Sequence, residues 1–331
     1  MSTAVLVDGM NMVYRCGYTY ANLTTRDQRP TGATYGSILQ ILGLWKHIKD
    51  RPLHVIVFWE GSAPKGADRK AIPSWRKSIY PKYKGTRKTD PAMDDARAQV
   101  PALMDGIQRL HIPQAYVAGL EADDLIGLAA SELDRSGQVS DIVIFSTDKD
   151  MYQCVSHNIR VLRMLRGKAE VIGQKQVVSE LGIPPELVPQ YKALCGDTSD
   201  NYRSVAGIGP KTALRMLSDG VRPSFPEFSD HSRKVRSIYR DHAISHEWSR
   251  VHLCYKIAKI PTGFNGDVLL PIPKQLLREA EKSIRLAVGS SLSREPFSKS
   301  KAIAQWAQWC GEYELYSLLA DRRQVFDRIT Q

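Results

Sequence analysis

The chain has 331 residues, enough for two domains with separate cores, and its 46 Lys and Arg against 35 Asp and Glu give a formal net charge of +11. Charge of that sign favours an anionic partner, either nucleic acid or an acidic surface, and no apolar run approaches the length that spans a bilayer, so no membrane partner is expected. The N-terminus lacks a basic segment followed by an apolar one, and the five cysteines are scattered without a CxxC pair. Neither secretion, a disulfide framework nor a thiolate zinc site is indicated, and a cytoplasmic protein is expected.

Residues 4–7 form a short apolar run ending at Asp8 and Gly9, the pattern of a buried strand with an acid at its carboxyl end. Residues 31–34 open a helix that continues to Trp45, and residues 54–59 form a second strand ending at Glu60. The next stretch differs in character. From Ser62 to Lys88 there are nine Lys or Arg and one acid, Asp68, interleaved with Trp75, Tyr80 and Tyr83 and broken by three prolines. A solvated loop usually mixes its charge signs and lacks aromatics, so this reads as a mobile basic segment. A third strand, residues 115–118, precedes Glu121, Asp123 and Asp124. A fourth, residues 141–145, runs into Asp148 and Asp150, and a further strand-like piece covers 159–165. Helical patterns separate the strands, so an α/β fold with a largely parallel sheet flanked by helices is expected. From about residue 185 strand signals largely stop and helices dominate, which divides the chain into domains at 1–184 and 185–331. Gly207-Ile208-Gly209 reads as a tight hairpin entering a helix, residues 222–230 as a linker, and residues 274–288 and 301–319 as helices.

Nine carboxylates are the candidate functional residues: Asp8, Glu60, Glu121, Asp123, Asp124, Asp148, Asp150, Asp197 and Asp200. Ligands of parallel sheets gather outside the carboxyl ends of the strands, where Asp8, Glu60, Glu121 and Asp148 are expected. Asp197 and Asp200 are three apart, on one face of a helical turn. Acids packed this closely repel one another and are costly to desolvate, and the nearest cations in sequence to Glu121, Asp123 and Asp124 are Arg109 and Arg135. An acidic helix start would account for Asp123 and Asp124 alone. It leaves Glu121 and the recurrence of the arrangement unexplained. Hard divalent cations prefer such oxygen ligands, Mg²⁺ especially beside phosphates, so two Mg²⁺ ions, with Mn²⁺ as the alternative, are the expected cofactors. The two glycines at 207 and 209, the amides that follow and Lys211 can grip a phosphate without reading sequence; the bland alternative is an ordinary glycine-rich turn. His242, His246 and Glu247 have zinc-like spacing but no evident third ligand, and a solvated helix face is the preferred reading.

Val7-Asp8-Gly9, Tyr83-Lys84-Gly85-Thr86-Arg87, Glu121-Ala122-Asp123-Asp124, Ser146-Thr147-Asp148-Lys149-Asp150, Gly196-Asp197-Thr198-Ser199-Asp200-Asn201 and Gly207-Ile208-Gly209-Pro210-Lys211-Thr212 together cover roughly residues 4–220. In these motifs and their order the chain resembles the 5′-nuclease, or flap endonuclease, superfamily. That superfamily includes the stand-alone 5′–3′ exonucleases of bacteria and phages and the 5′-nuclease domain of bacterial DNA polymerase I. The resemblance implies a PIN-like α/β domain, a helix-hairpin-helix (H3TH) domain that usually binds K⁺, here at 207–209, and two-metal hydrolysis near DNA 5′ ends. It implies that residues 62–93 form an arch over the 5′ strand, with Lys84 and Arg87 at its base and Asp123 and Asp148 essential for cleavage. Arg76, Lys77, Tyr83, Lys84, Arg87, Gly207, Ile208, Gly209, Lys211 and Thr212 would meet DNA, with Tyr83, Trp75 or Tyr80 stacking on bases or pinning the loop. Asp8 and Glu121 would lean toward one ion, and Asp150, Asp197 and Asp200 toward the other.

Two departures stand out. Glu60 occupies a position where the superfamily usually has Asp, and its carboxylate reaches one methylene further. Residues 61–73 look inserted. Residues 230–331 match no motif and are expected to buttress the hairpin domain or to recruit a replication partner. The expected substrate is a 5′ flap or a nicked or 5′-ended DNA duplex, RNA-primed strands included, in replication or repair, with a bacterial or phage origin. The rivals are an RNase H-like or PIN-type RNA nuclease and a DNA-binding module without catalysis.

Overall fold

A computed structural model of the chain describes residues 2–48, 52–60, 73–87, 90–165, 167–265, 269–293, 298–319 and 326–327. Residues 61–72 of the inserted-looking stretch, and residues 88 and 89 of the expected arch, lie outside the described residues.

Strand β1 (Thr3–Asp8) is buried along its whole length and runs into α1 (Gly9–Thr19). Then come α2 (Gly32–His47), β2 (Leu53–Phe58), α3 (Trp75–Ile79), α4 (Pro91–Ala98), α5 (Val100–Arg109), the short β3 (Gln114–Ala115), α6 (Ala122–Ser136), β4 (Asp141–Phe145), β5 (Ile159–Leu165) and β6 (Lys168–Ile172). The six strands lie in the order β3-β2-β1-β4-β5-β6; all neighbours are parallel except β5 and β6, which are antiparallel. Apolar side chains on both faces of β1 suit it to this central place. Ala4 and Leu6 join one buried cluster, with α6 and the helical half, while Val5 and Val7 join a second, with α1, α2 and α5. The chain moves outward from β1 in one direction through β2 and β3, then returns to the other side with β4. Beside β1 the order therefore reverses, which opens a crevice at the strands' carboxyl ends. Asp8 ends β1 there, and Asp148 follows β4.

The third strand is shorter than the sequence pattern predicts. Only Gln114 and Ala115 pair with β2, and the chain then loops through Gly119 (φ 91°) before Glu121 starts α6. Glu121 is therefore set by a helix start rather than by a strand end.

The helical half contains α7 (Gln174–Leu181), α8 (Val188–Cys195), α9 (Pro210–Asp219), α10 (Arg233–Tyr239), α11 (Ala243–His246) and α12 (Trp248–Ala258). The segment after α12 lies directly on α6: a Cβ added at Gly127 would come within 2.2 Å of Ile260 Cγ2. The last helices, α13 (Lys274–Ser293) and α14 (Lys299–Glu312), turn back onto the sheet half. Helix α13 packs along β2 and β3, and α14 seats Trp309 against Gly106 of α5. These two helices buttress the sheet domain, whereas α12, earlier in the same C-terminal region, packs against α8 of the helical half. Residues 222–230 also differ from a free linker, because the Pro223 carbonyl accepts from the His252 ring and the Phe225 carbonyl from Trp248 Nε1.

Candidate active site

The acids at the crevice form two groups. In the first, Glu121, Asp123 and Asp124 bring ligand atoms within 4.8 Å of one another at the start of α6. The cations absent from the neighbouring sequence arrive from the basic segment. Arg76 Nη1 donates to Glu121 Oε2 and Asp124 Oδ2, both at 3.0 Å, and Arg76 Nη2 stands 2.9 Å from Asp124 Oδ1. Asp124 Oδ2 also accepts from Trp75 Nε1 (3.0 Å) and the Glu121 amide (3.1 Å). Asp124 is thus within ligand distance of its neighbours; its Oδ2 is engaged in anchoring the segment, while its buried Oδ1 has the ion-pair contact with Arg76 but no hydrogen bond among the described residues. Glu121 accepts further bonds from the Tyr83 hydroxyl (2.9 Å) and Lys84 Nζ (2.6 Å). Burial pushes the Glu121 carboxyl up, but Arg76 and Lys84 outweigh it and hold the group below the usual carboxylate range. For Asp123 burial dominates: despite Arg76, it and the charges of Asp124 and Glu121 leave this carboxyl well above its ordinary value.

The second group is Asp150, Asp197 and Asp200, again within 4.8 Å. Asp197 Oδ1 accepts from the Ser199 amide (2.7 Å) and hydroxyl (2.6 Å), and Arg87 Nη2 donates to Asp200 Oδ1 (2.9 Å). Lys192 of α8 reaches both Asp150 and Asp197. Burial raises Asp197, but Lys192 and the Ser199 bonds more than reverse this and bring it down to about 2; Asp150 and Asp200 stay raised, chiefly by burial.

Asp8 caps α1 by accepting from the Asn11 amide and also accepts from the Ser146 hydroxyl, each at 3.0 Å. Its carboxyl is pushed up to about 6, mainly by burial, with the charges of Asp148 and Glu60 adding to the effect. Asn11 Oδ1 in turn accepts from the amide and hydroxyl of Thr147, which fixes the turn carrying Asp148. Asp148 Oδ1 accepts from the Asp150 amide (2.9 Å). Glu60 is half-buried at the end of β2 and joins neither group among the described residues. Lys84, Arg87, Asp123, Asp148, Asp150, Lys192, Asp197 and Asp200 line one cleft of about 410 Å³.

The basic segment enters this site differently from the sequence expectation. Arg76, expected to meet DNA, is 1 % exposed. Its guanidinium is held by the acids and by the Ile257 and Lys259 carbonyls (2.8 and 3.2 Å) and lies over the Trp75 ring. Tyr83, expected among the DNA contacts, is 2 % exposed, with its hydroxyl on Glu121. Both belong to the interior because several charged groups need them there, and Trp75, equally buried, pins the segment to the core. Lys77 and Arg87 remain exposed and Lys84 is half-buried at the cleft. Lys84 has a left-handed backbone (φ 54°), and its amide donates to the Asp200 carbonyl (3.0 Å). Burial alone would lower the Lys84 ammonium, but Glu121, Asp123 and Asp200 hold it above the usual lysine range.

At the hairpin, Gly207 (φ 81°) occupies a conformation that L side chains rarely adopt, while buried Ile208 anchors the turn. Gly209 caps α9, with Pro210 at its first turn. No atom lies within 4 Å of a Cβ added at Gly207 or Gly209, and Lys211 is exposed beside them, with Thr212 half-buried. His242 caps α11 through Nδ1, which accepts from the Ile244 amide. Asn11, Ser146, Thr147 and Lys192 carry no role in the sequence reading. The position of Lys192, five residues before Asp197 on a helix, was the available signal.

A PIN-like sheet with two carboxylate groups at its switch point, residues 75–87 of the basic segment bonded to them and a glycine hairpin entering α9 defines a class of phosphodiester-cleaving nuclease. Residues 3–182 match the 5′-3′ exonuclease N-terminal, resolvase-like domain and residues 183–276 the 5′-3′ exonuclease C-terminal SAM fold. The chain belongs to the 5′-3′ exonuclease family. It is 33% identical over 217 residues to a 5′-3′ exonuclease of Aquifex aeolicus, covering 66% of this chain and 69% of that one. Against DNA polymerase I of Pseudomonas aeruginosa it is 36% identical over 217 residues, 65% of this chain but only 22% of the polymerase. Among solved structures, the bacteriophage T5 D15 protein co-crystallized with metal ions shares the fold, with a TM-score of 0.63 at 17% identity, covering 86% of this chain and 99% of that one. The T5 D15 flap endonuclease in a pseudo-enzyme-product complex with DNA and metal ions gives 0.62 at 16%, covering 87% and 99%.

Proposed function

We propose that this protein is a structure-specific 5′-nuclease that uses two divalent ions, Mg²⁺ or Mn²⁺, to hydrolyse phosphodiester bonds at 5′ ends and flap junctions of DNA. The observation that carries this reading is the convergence of Asp123, Asp148, Asp150, Asp197 and Asp200 on one cleft that Lys84 and Arg87 also line, with Glu121 and Asp124 grouped beside Asp123 and Asp8 linked to the Asp148 turn through Ser146. The donors are hard oxygens, and Asp123, Asp150 and Asp200 carry raised carboxyls that internal cations do not fully compensate, which suits divalent cations. Bound there, such ions supply charge neutralisation and acidify water for attack on phosphorus. The chain's own residues do the positioning. Asn11 and Ser146 hold the Asp8 carboxylate and the turn that carries Asp148, and Arg76 keeps Glu121 and Asp124 fixed at the head of α6. Lys84 and Arg87 offer N–H donors toward a phosphate in the cleft. The open glycine face at 207–209 suits a backbone phosphate, and the same turn is the candidate K⁺ site. Relatives named as exonucleases and polymerases support roles in replication or repair, and among the described residues no helix is long and apolar enough to cross a membrane. A bacterial cytoplasm, or that of a phage's host, is the proposed setting.

The test is a panel of labelled substrates of one sequence: a 5′ flap, the same flap with RNA in its 5′ strand, a 3′ flap and single-stranded RNA. The expected result is cutting at or near the 5′-flap junction, with the 3′ flap and free RNA spared. Preferential cutting of free RNA would support an RNA nuclease instead.

Replacing both hairpin glycines tests the DNA face. In Gly207→Val with Gly209→Val, Gly207 is strained by its φ and both side chains crowd the open face. Duplex binding is expected to weaken, and its salt slope to fall by ~0.9 for one lost phosphate contact. Cleavage of a very short single strand should change much less. An unchanged slope would remove the hairpin from the DNA interface.

A further inference from the structure

Lys192 is placed where a cation binding to the second carboxylate group would compete with it. Its ammonium contacts Asp150 Oδ1 and stands 2.7 Å from Asp197 Oδ2, two oxygens of the same three-acid group. The side chain is only 16 % exposed, and it lines the cleft together with Lys84 and Arg87. Tyr202, whose backbone exchanges two hydrogen bonds with Asp197 (2.9 and 3.0 Å), carries a buried hydroxyl that has no hydrogen-bond partner among the described residues. That hydroxyl does not compensate the acids, so Lys192 is the principal counter-charge for Asp150 and Asp197.

We propose that Lys192 is a displaceable internal counter-ion that couples binding of the second divalent ion to binding of DNA. The inference rests on the two-ion reading of the site given above. A divalent ion entering among Asp150, Asp197 and Asp200 needs the oxygens that the ammonium holds, so the ammonium must leave. An ammonium is a compact charge on a flexible four-carbon stem, so it can swing away without moving α8. In the free protein it gives up two close carboxylate contacts for a cleft whose other acids, Asp148 and Asp200 among them, are shared with the entering ion, and this penalises the ion. When a DNA phosphate occupies the cleft, the ammonium acquires an anionic partner and the penalty falls. By linkage, whatever factor DNA adds to ion affinity the ion adds to DNA affinity. Lys192 is then a positioning residue whose effect appears in binding, before any bond is cut.

The experiment is calorimetric titration of Ca²⁺ into the full chain, with and without a 5′-flap duplex, for wild type, Lys192→Met and Lys192→Gln. In wild type the flap is expected to tighten the weaker Ca²⁺ site by about tenfold or more, within the usual range of coupling between sites. Without DNA, both variants should bind that ion about tenfold more tightly than wild type, and the flap should add little. The proposal is overturned if the flap leaves the weaker wild-type site unchanged, whatever the variants do. It is also overturned if folded variants bind the second ion no tighter than wild type. Fewer than two Ca²⁺ bound at saturation in every state would instead contradict the two-ion reading itself.

Discussion

Asp148→Asn, and separately Asp123→Asn, is expected to remove measurable cleavage of a flap substrate while flap binding in Ca²⁺ or without metal persists. The substitutions are mild for the fold. Asp148 Oδ1 accepts from the Asp150 amide and Asp123 Oδ1 from the Asp124 amide, and an asparagine carbonyl can accept both bonds. What is lost is a carboxylate ligand on the cleft wall, which both residues line. Neutral amides are poor ligands for hard divalent ions beside phosphates, and the remaining acids cannot replace the missing ligand. Binding should survive because Lys84, Arg87 and the hairpin are untouched, and removing an acid weakens repulsion of the DNA. Near-normal turnover in either variant would show that the carboxylates are not the metal ligands.

Lys84→Ala is expected to slow single-turnover cleavage by about 10²–10³, or roughly 2.7–4 kcal/mol, the value of one well-placed donor to a developing charge. Lys84 is one cation on a basic surface, so Kd should move only a few-fold. The structure explains why its position is special. Its left-handed backbone is tied to Asp200 and its ammonium to Glu121, so the loop carrying it is fixed to both acid groups. The same tie gives the ammonium a resting partner, and an approaching phosphate competes with Glu121 for it. Lys82→Ala, exposed two residues earlier, should change neither rate nor affinity strongly. Single-turnover conditions are needed because slow product release can conceal a chemical defect. If Lys84→Ala raised Kd a hundredfold with an intact rate, Lys84 would grip the backbone, and the catalytic cation would have to be sought at Arg87.

The sheet was legible in the sequence wherever a strand was buried on both faces. Residues 4–7 and 142–145 are unbroken apolar runs, and each lies in a strand of the structure. Strand β3 was misjudged in length because apolarity alone cannot tell pairing from a buried loop, and the turn at Gly119 left no local pattern. Strand β6 escaped because four of its five residues are exposed, so it lacks the apolar run used to find the others. At the site, sequence order brought the acids forward but concealed what neutralises them. Arg76 and Lys84 are 45 and 37 residues from Glu121, and only folding brings them together. A basic, aromatic-rich segment looks the same in sequence whether its side chains face DNA or buried carboxylates. Arg76 and Tyr83 were therefore assigned outward, although the uncompensated charge at Glu121, Asp123 and Asp124 already required cations from elsewhere.

The central claim is that these carboxylates hold divalent ions for cleavage at a DNA 5′ end. Single-turnover cleavage of a 5′-labelled flap, begun with Mg²⁺ and repeated in EDTA, tests it most directly. The predicted result is a short labelled product ending at or near the junction in Mg²⁺ and intact substrate in EDTA. Cleavage that continued in EDTA, or Mg²⁺-dependent shortening from the 3′ end alone, would contradict it.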